Sequence, residues 1–300
     1  MILPQYVSLE EKQNHFQTGG SVINLATQFD AVIPKLISHS RNKFVFRGVN
    51  EAKYKLYNSA QRKFLQNDLA VKFESYKEFI YSEMNLFKLE NNNWKNAYVY
   101  SGINIDNHLA LLSLMQHRGS PAPCIDFTTN PLISLYFAFK NSEINEGSIN
   151  VLDNYVSIYF LCTEHFLIPF HNFGNVYREA LLSRNIFKGE NHSLSLNNYK
   201  AFEAMFLFDN PMLYDITIDP EYATINNKSI LSQNGILLLN PNGNAPVEDT
   251  AQYIFRNHTG EPWLPIQCWN INKALKKHVN HFLDLSGVNE KTVEPGAGFT

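Results

Sequence analysis

The chain has 300 residues, a formal charge of −3 with neutral histidines, and 44% hydrophobic residues that include 22 Phe and 15 Tyr. That supplies ample core for one large domain or two small ones, and the near balance of charge argues against a strongly electrostatic nucleic-acid or membrane-surface binder. The three cysteines, Cys124, Cys162 and Cys268, are odd in number and far apart, which argues against a disulfide framework and fits a reducing cytoplasm. The first residues lack the basic and apolar regions of a secretion signal, and no apolar run approaches the roughly 20 residues that span a bilayer. The expectation is a cytoplasmic protein without internal repeats.

Residues 1–20 read as an irregular lead-in. Residues 22–38 carry Leu25, Phe29, Ile33 and Ile37 at intervals of four and read as an amphipathic helix. Residues 43–46 form an apolar strand that Arg47 and Gly48 close, and a charged residue at that place is either a site residue or a structural ion-pair partner. Residues 54–56 are extended, Asn58 and Ser59 cap the next segment, and from Arg62 a helical period runs through Leu69, Phe73, Tyr76, Ile80, Met84 and Phe87. Residues 91–103 read as a polar linker. Asp106 then caps a helix through Gln116, with Leu109, Leu112 and Met115 inward.

Residues 116–139 pack a helix stop, a short apolar strand and a helix start into two dozen positions. Gly119 and Pro121 end the preceding helix. Residues 124–127 are mostly apolar and carry one acid, Asp126. Asn130 and Pro131 start the next helix, an N-cap followed by a proline that loses no needed donor. Leu132, Leu135, Tyr136 and Phe139 then repeat on one buried face. His117, Asp126 and Thr128 therefore sit where a buried strand meets a helix N-terminus, a place suited to an anion or a reactive polar group.

Residues 148–152 and 156–162, joined by Asp153 and Asn154, read as a hairpin. Between 163 and 195, Glu164, His165, His171 and His192 invite a metal reading, but without a tight ligand pair no metal is assigned. Residues 199–208 read as a short helix or apolar run, and 212–218 as a strand. Gln233 and Gly235 lead into a further apolar strand, residues 253–255 and 265–271 read as strands, and Asn272 caps a last helix through Leu283. His278 and His281 share a face of that helix among Lys and Asn, a solvated setting.

The Phe46-Arg47-Gly48 triplet resembles the motif that gives the FRG domain family its name. Further features of the family are matched in order by Gln116, His117, Gly119 and Pro121, by Asp126, Phe127 and Thr128, and by Asn130 and Pro131. Ala122-Pro123 stands where the family pattern has a Thr-Arg pair. Gln233 and Gly235 resemble a third feature, with Ser229 beside Lys228 where an arginine is expected, and residues 286–295 resemble the closing segment. An arginine recurs after the motif in the family, which brings forward Arg62. The resemblance implies a single main domain over residues 40–295, with an N-terminal helical extension (1–39) and a tail (296–300). It implies an α+β or mixed α/β fold, a mostly antiparallel or mixed central sheet flanked by helices. It also implies a bacterial setting connected with defence or stress. The family label names a motif and not an activity, so cofactors stay open and a protein partner is one reading.

Three polar groups recur at strand or helix ends: Arg47; His117 with Asp126 and Thr128; and Gln233. Arginine suits phosphate through its planar, permanently charged fork. The ligand-binding candidates are Arg47, Gly48, Arg62, Gln116, Thr128 and Thr129, and the expected ligand is a nucleotide or another phosphate-bearing small molecule. The catalytic candidates are His117, an acid–base group oriented by Asp126, together with Asp126 and Gln233. The order Arg47, Thr128-Thr129, Gln233 also resembles ADP-ribosyltransferase-like folds. There the late position helps attack at the anomeric carbon, and a glutamine takes up no proton. The alternatives are NAD-cleaving chemistry, a non-catalytic interaction domain, and a buried polar network in which Gln116, His117 and Asp126 only fix the strand–helix junction.

Overall fold

The computed structural model describes residues 2–16, 21–41, 44–91, 93–96, 107–163, 206, 211–214, 232–259 and 265–294. Seven strands form one sheet in the order β1-β7-β4-β2-β3-β6-β5. They are β1 (Ser21–Ile23), β2 (Phe44–Val49), β3 (Cys124–Thr128), β4 (Tyr155–Cys162), β5 (Met212–Tyr214), β6 (Gly235–Leu239) and β7 (Ile266–Asn272). Among the described residues only β1 and β7 run parallel; every other neighbouring pair is antiparallel. This helix-flanked, mostly antiparallel sheet is the expected α+β architecture.

The helices are α1 (Leu9–Phe16), α2 (Ala26–Arg41), α3 (Ser59–Gln66), α4 (Tyr76–Glu90), α5 (His108–His117), α6 (Pro131–Lys140), α7 (Val247–Thr259), α8 (Lys276–Leu285) and α9 (Glu290–Val293). One face of the sheet presents Phe46, Val156, Ile158, Phe160 and Trp269 to α2, α6 and α8. On the same face Cys124, Leu237 and Leu239 meet α3, α4 and α5. The opposite face presents Val45, Phe127, Tyr159, Leu161 and Ile236 to Phe16 of α1 and to Val247 and Ala251 of α7. Burial on both faces explains why all eight residues of β4 are buried and its sequence does not alternate.

Several local expectations are corrected. The anticipated hairpin is a 3-10 turn, Val151–Asn154, leading into β4, whose neighbours are β2 and β7. Asn150 caps that turn, and Asp153 accepts from Ser148 Oγ and Lys53 Nζ, so side chains hold what looked like a strand. The strand expected at 253–255 belongs to α7. Val247 and Ala251 are buried one turn apart there, and Glu248 and Asp249 occupy the first turn, where acids suit the helix dipole. The lead-in contains α1, and β1 takes the first residues of the segment read as a helix from residue 22. The long helical period from Arg62 is broken: α3, a 3-10 turn at Leu69–Val71, then α4, with Asp68 left-handed at φ 50° and Ser75 capping the restart. The helix from residue 22 starts at Ala26, Asn107 caps α5, and Asn272 caps a 3-10 turn before α8. The histidines at 165, 171 and 192, Glu164, Lys228 and Ser229, and most of 199–208 lie outside the described residues.

Lys12 of α1 is wholly buried. Its ammonium donates to the Ala52 carbonyl (2.6 Å) and Ser157 Oγ (2.7 Å) and lies over the Tyr159 ring. Residues before β2 therefore contribute to the core as well as to the sheet edge.

Candidate functional site

The site begins as a fault in the sheet. β2 pairs with β4 along all six of its residues, and β3 pairs with β6 along all five. Between β2 and β3 only Phe46 and Thr128 are in register. Continuing that register would put Gly48 opposite Asp126, but there the strands have splayed into a wedge. Leu56 and Tyr57 line it, while Ala60 N and Ser59 Oγ donate to the Ala122 carbonyl (both 3.2 Å), tying α3 to the approach to β3. The result is a cleft of about 860 Å³, within the range of small-molecule sites.

Each residue of the Phe46-Arg47-Gly48 triplet has a separate physical role. Phe46 is fully buried among α2, α6 and Phe160. Gly48 lies on the same face, where α6 approaches so closely that a Cβ would stand 1.8 Å from the Ser134 carbonyl oxygen. Arg47 alternates to the other face, against Tyr159, and reaches into the wedge. Its Nη1 donates to the Asp126 carbonyl at 2.5 Å, so a side chain satisfies a backbone acceptor of β3 beside the splayed strands.

Arg62, in the first half of α3, faces the same cleft and donates from Nη1 to the Tyr57 carbonyl at 2.8 Å. Neither arginine has a carboxylate ion-pair partner among the described residues, and each hydrogen bond engages one of five donors. Burial pulls both guanidiniums below their ordinary value; Asp126 opposes this for Arg47, and Arg62 adds to it. Two like charges near enough to repel, held by neutral carbonyls, leave a site that favours an incoming anion.

Asp126 and His117 complete the wall. Asp126 Oδ2 accepts from Gln116 Nε2 at 2.8 Å. His117, the last residue of α5, lines the cleft, and its Nε2 is buried without a hydrogen-bond partner among the described residues. Burial lowers its proton affinity, against the pull of Asp126. Such an unmet polar atom is uncommon in a settled core. Thr128 Oγ1 donates to the Gln233 carbonyl (2.6 Å) and accepts from Asn130 N (3.0 Å). Gln233 Nε2 donates to the Val293 carbonyl at 3.3 Å.

Arg47, Gly48, Arg62, His117, Asp126, Thr128 and Gln233 all line this one cleft. Gln116 stands behind it, reaching it through Asp126. Thr129 is exposed, donates its N–H to the Asn234 carbonyl, and is not part of the wall. Sequence reasoning passed over other wall residues: Tyr54, Tyr57, Gln66, Phe137, Lys140 and residues 2–5. Gln66 carried a signal, since it lies one helical turn after Arg62. Residues 2–5 carried none, because a bridge from Gln5 to Tyr54 brings them to the rim. Lys55 and Lys140 also face the cleft, paired with Asp249 and Glu294. Among the described residues no cluster of three or more His, Cys, Asp or Glu is placed to hold a metal, and no helix is long and apolar enough to cross a membrane.

Comparison with protein families matches residues 42–146, about a third of the chain, to the FRG domain. That stretch contains β2, β3 and α3 to α6, and with them every candidate site residue except Gln233. Comparison with curated proteins and with solved structures gave no match.

Proposed function

Residues 42–146 form an FRG domain, and from the cleft it lines we propose that this protein binds a phosphate-bearing small molecule, in the first instance a nucleotide. The observation that carries the reading is the pair of guanidiniums, Arg47 and Arg62, facing one cleft with no carboxylate bound to either among the described residues. Arginine forks match phosphate oxygens, and burial strengthens the attraction. The apolar and aromatic wall, with Tyr54, Tyr57 and Phe137, suits the rest of such a ligand. Leu56 and Tyr57 line the cleft where β2 and β3 are unpaired, which favours a compact ligand over an added strand. Gln233 has its amide engaged with Val293 and takes up no proton, so the reading rests on binding and not on glycosidic chemistry.

Thermal melting with a panel of nucleotides that includes NAD tests this. A ligand at about 100 times its Kd raises stability by about 2.7 kcal/mol. Arg62→Gln is expected to melt near the wild type without ligand and to bind about 10 to 100 times more weakly, the loss of about 1.5–3 kcal/mol from a charged hydrogen bond. Arg47→Gln is expected to lose affinity and also intrinsic stability, because the Asp126 carbonyl then loses its donor. An unmoved wild-type midpoint with every phosphate compound in the panel would overturn the reading.

A further inference from the structure

The cleft holds three groups suited to donate to one anion, and their charges point to one kind of phosphate. Arg47 and Arg62 carry two positive charges and Asp126 one negative, while Lys55 and Lys140 are already paired with Asp249 and Glu294. With His117 neutral the polar wall carries one net positive charge, which matches the single charge of a phosphodiester. With His117 as imidazolium it carries two, which matches the dianion of a terminal phosphate. Resting on the binding reading above, we propose that the cleft selects a terminal phosphate monoester, with Arg47, Arg62 and His117 Nε2 as its three donors and one proton taken up by His117 on binding.

Geometry supports this independently of charge. His117 lines the cleft, and its Nε2, closed off from solvent, has no partner among the described residues, so no bond within them competes with a ligand for it. His117 ends α5, where the helix dipole favours a cation. The charged group acting on it is Asp126 from β3, which stabilises an imidazolium, while Arg47 from β2 and Arg62 from α3 line the same cleft. Gln116 holds Asp126 Oδ2, which keeps that carboxylate in place. Burial lowers the proton affinity of the imidazole, against the pull of Asp126. A dianion beside Nε2 reverses that balance.

The test is titration calorimetry of the whole chain near pH 7.5 with adenosine 5′-monophosphate and adenosine 3′,5′-cyclic monophosphate, in buffers of different ionisation enthalpy. The expected result is that the monoester binds about tenfold or more tighter than the cyclic diester, with uptake of close to one proton, while the diester takes up none. His117→Gln is expected to remove the proton uptake and the preference for the monoester together. If the two nucleotides bind alike, or the monoester binds without proton uptake, the selection proposal is overturned while nucleotide binding stands. If proton uptake survives in His117→Gln, the assignment to His117 is overturned. If neither nucleotide binds, and inorganic phosphate does not, the binding reading falls and this proposal with it. Monoester binding to the wild type without proton uptake overturns the proposal even if the variant fails to fold.

Discussion

Gly48→Ala is expected to unfold or severely destabilise the protein. The added Cβ would lie 1.8 Å from the Ser134 carbonyl oxygen and 2.7 Å from the Ala138 amide nitrogen, between the two groups that form one i to i+4 bond of α6. Both obstacles are backbone, so no side chain can swing aside, and α6 must move off β2. Overpacking of this kind costs about 3 kcal/mol or more. For a chain of this size that is a fall of about 6 °C or more in the melting midpoint; the extreme outcome is insoluble expression. Gly119→Ala is the control. Gly119 has φ +72° and nothing within 4 Å of a built Cβ, so the substitution carries only the left-handed backbone penalty of about 1 kcal/mol. A Gly48→Ala midpoint within a degree of wild type would show that the close approach of α6 to β2 is wrong.

The second large effect is a pH dependence centred on Glu248. This carboxylate is wholly buried, accepts from Leu56 N and Tyr6 Oη, and is pushed up to about 7, first by burial and then by neighbouring Asp249. In the unfolded chain it titrates near its ordinary 4.5. Between those values the folded protein holds a proton that the unfolded chain has released. Stability is therefore highest on the acid side of this group's titration. It falls as pH rises from about 4.5 to about 7, and the loss is complete above that, about 3 kcal/mol in all. Glu248→Gln keeps the shape and an acceptor for Leu56 N without a titrating proton. Denaturant melts from pH 5 to 8 should show the variant gaining on the wild type as pH rises and equalling or exceeding it at pH 8. A difference between the two proteins that does not change with pH would refute the assignment.

Glu248 also shows where sequence reading stops. As one of two adjacent acids in a polar stretch it resembles any first-turn helix residue. Its burial results from α7 packing on the sheet face opposite α6, beneath Leu56 and Tyr6, which are 192 and 242 residues away in sequence. Lys12 is similar: an ordinary helix lysine by sequence, a core cation by its contacts with Ala52 and Ser157. Tyr253 and Phe255 misled in the other direction, because aromatic residues favour strands only when a strand neighbour is there to receive them. Tyr253 instead projects into solvent from a helix, 71% exposed.

The local events around the cleft were legible without any structure. Asn130 and Pro131 start α6, Asn58 caps α3 with a reciprocal Gln61 box, and the apolar run of β3 carries its one acid at Asp126. These arise from capping chemistry and hydrophobic period, which act within a few residues. The triplet and the 116–131 stretch also marked Arg47, His117 and Asp126 as the polar residues to watch. That they share a space is a property of the assembled fold alone. The wedge exists because β2 stays with β4 and β3 stays with β6 beyond their single shared pair. Strand pairing between distant segments is not encoded in any one of them. It depends on which faces the helices bury, and α6 against Gly48, with α3 tied to Ala122, sets how far the two strands part.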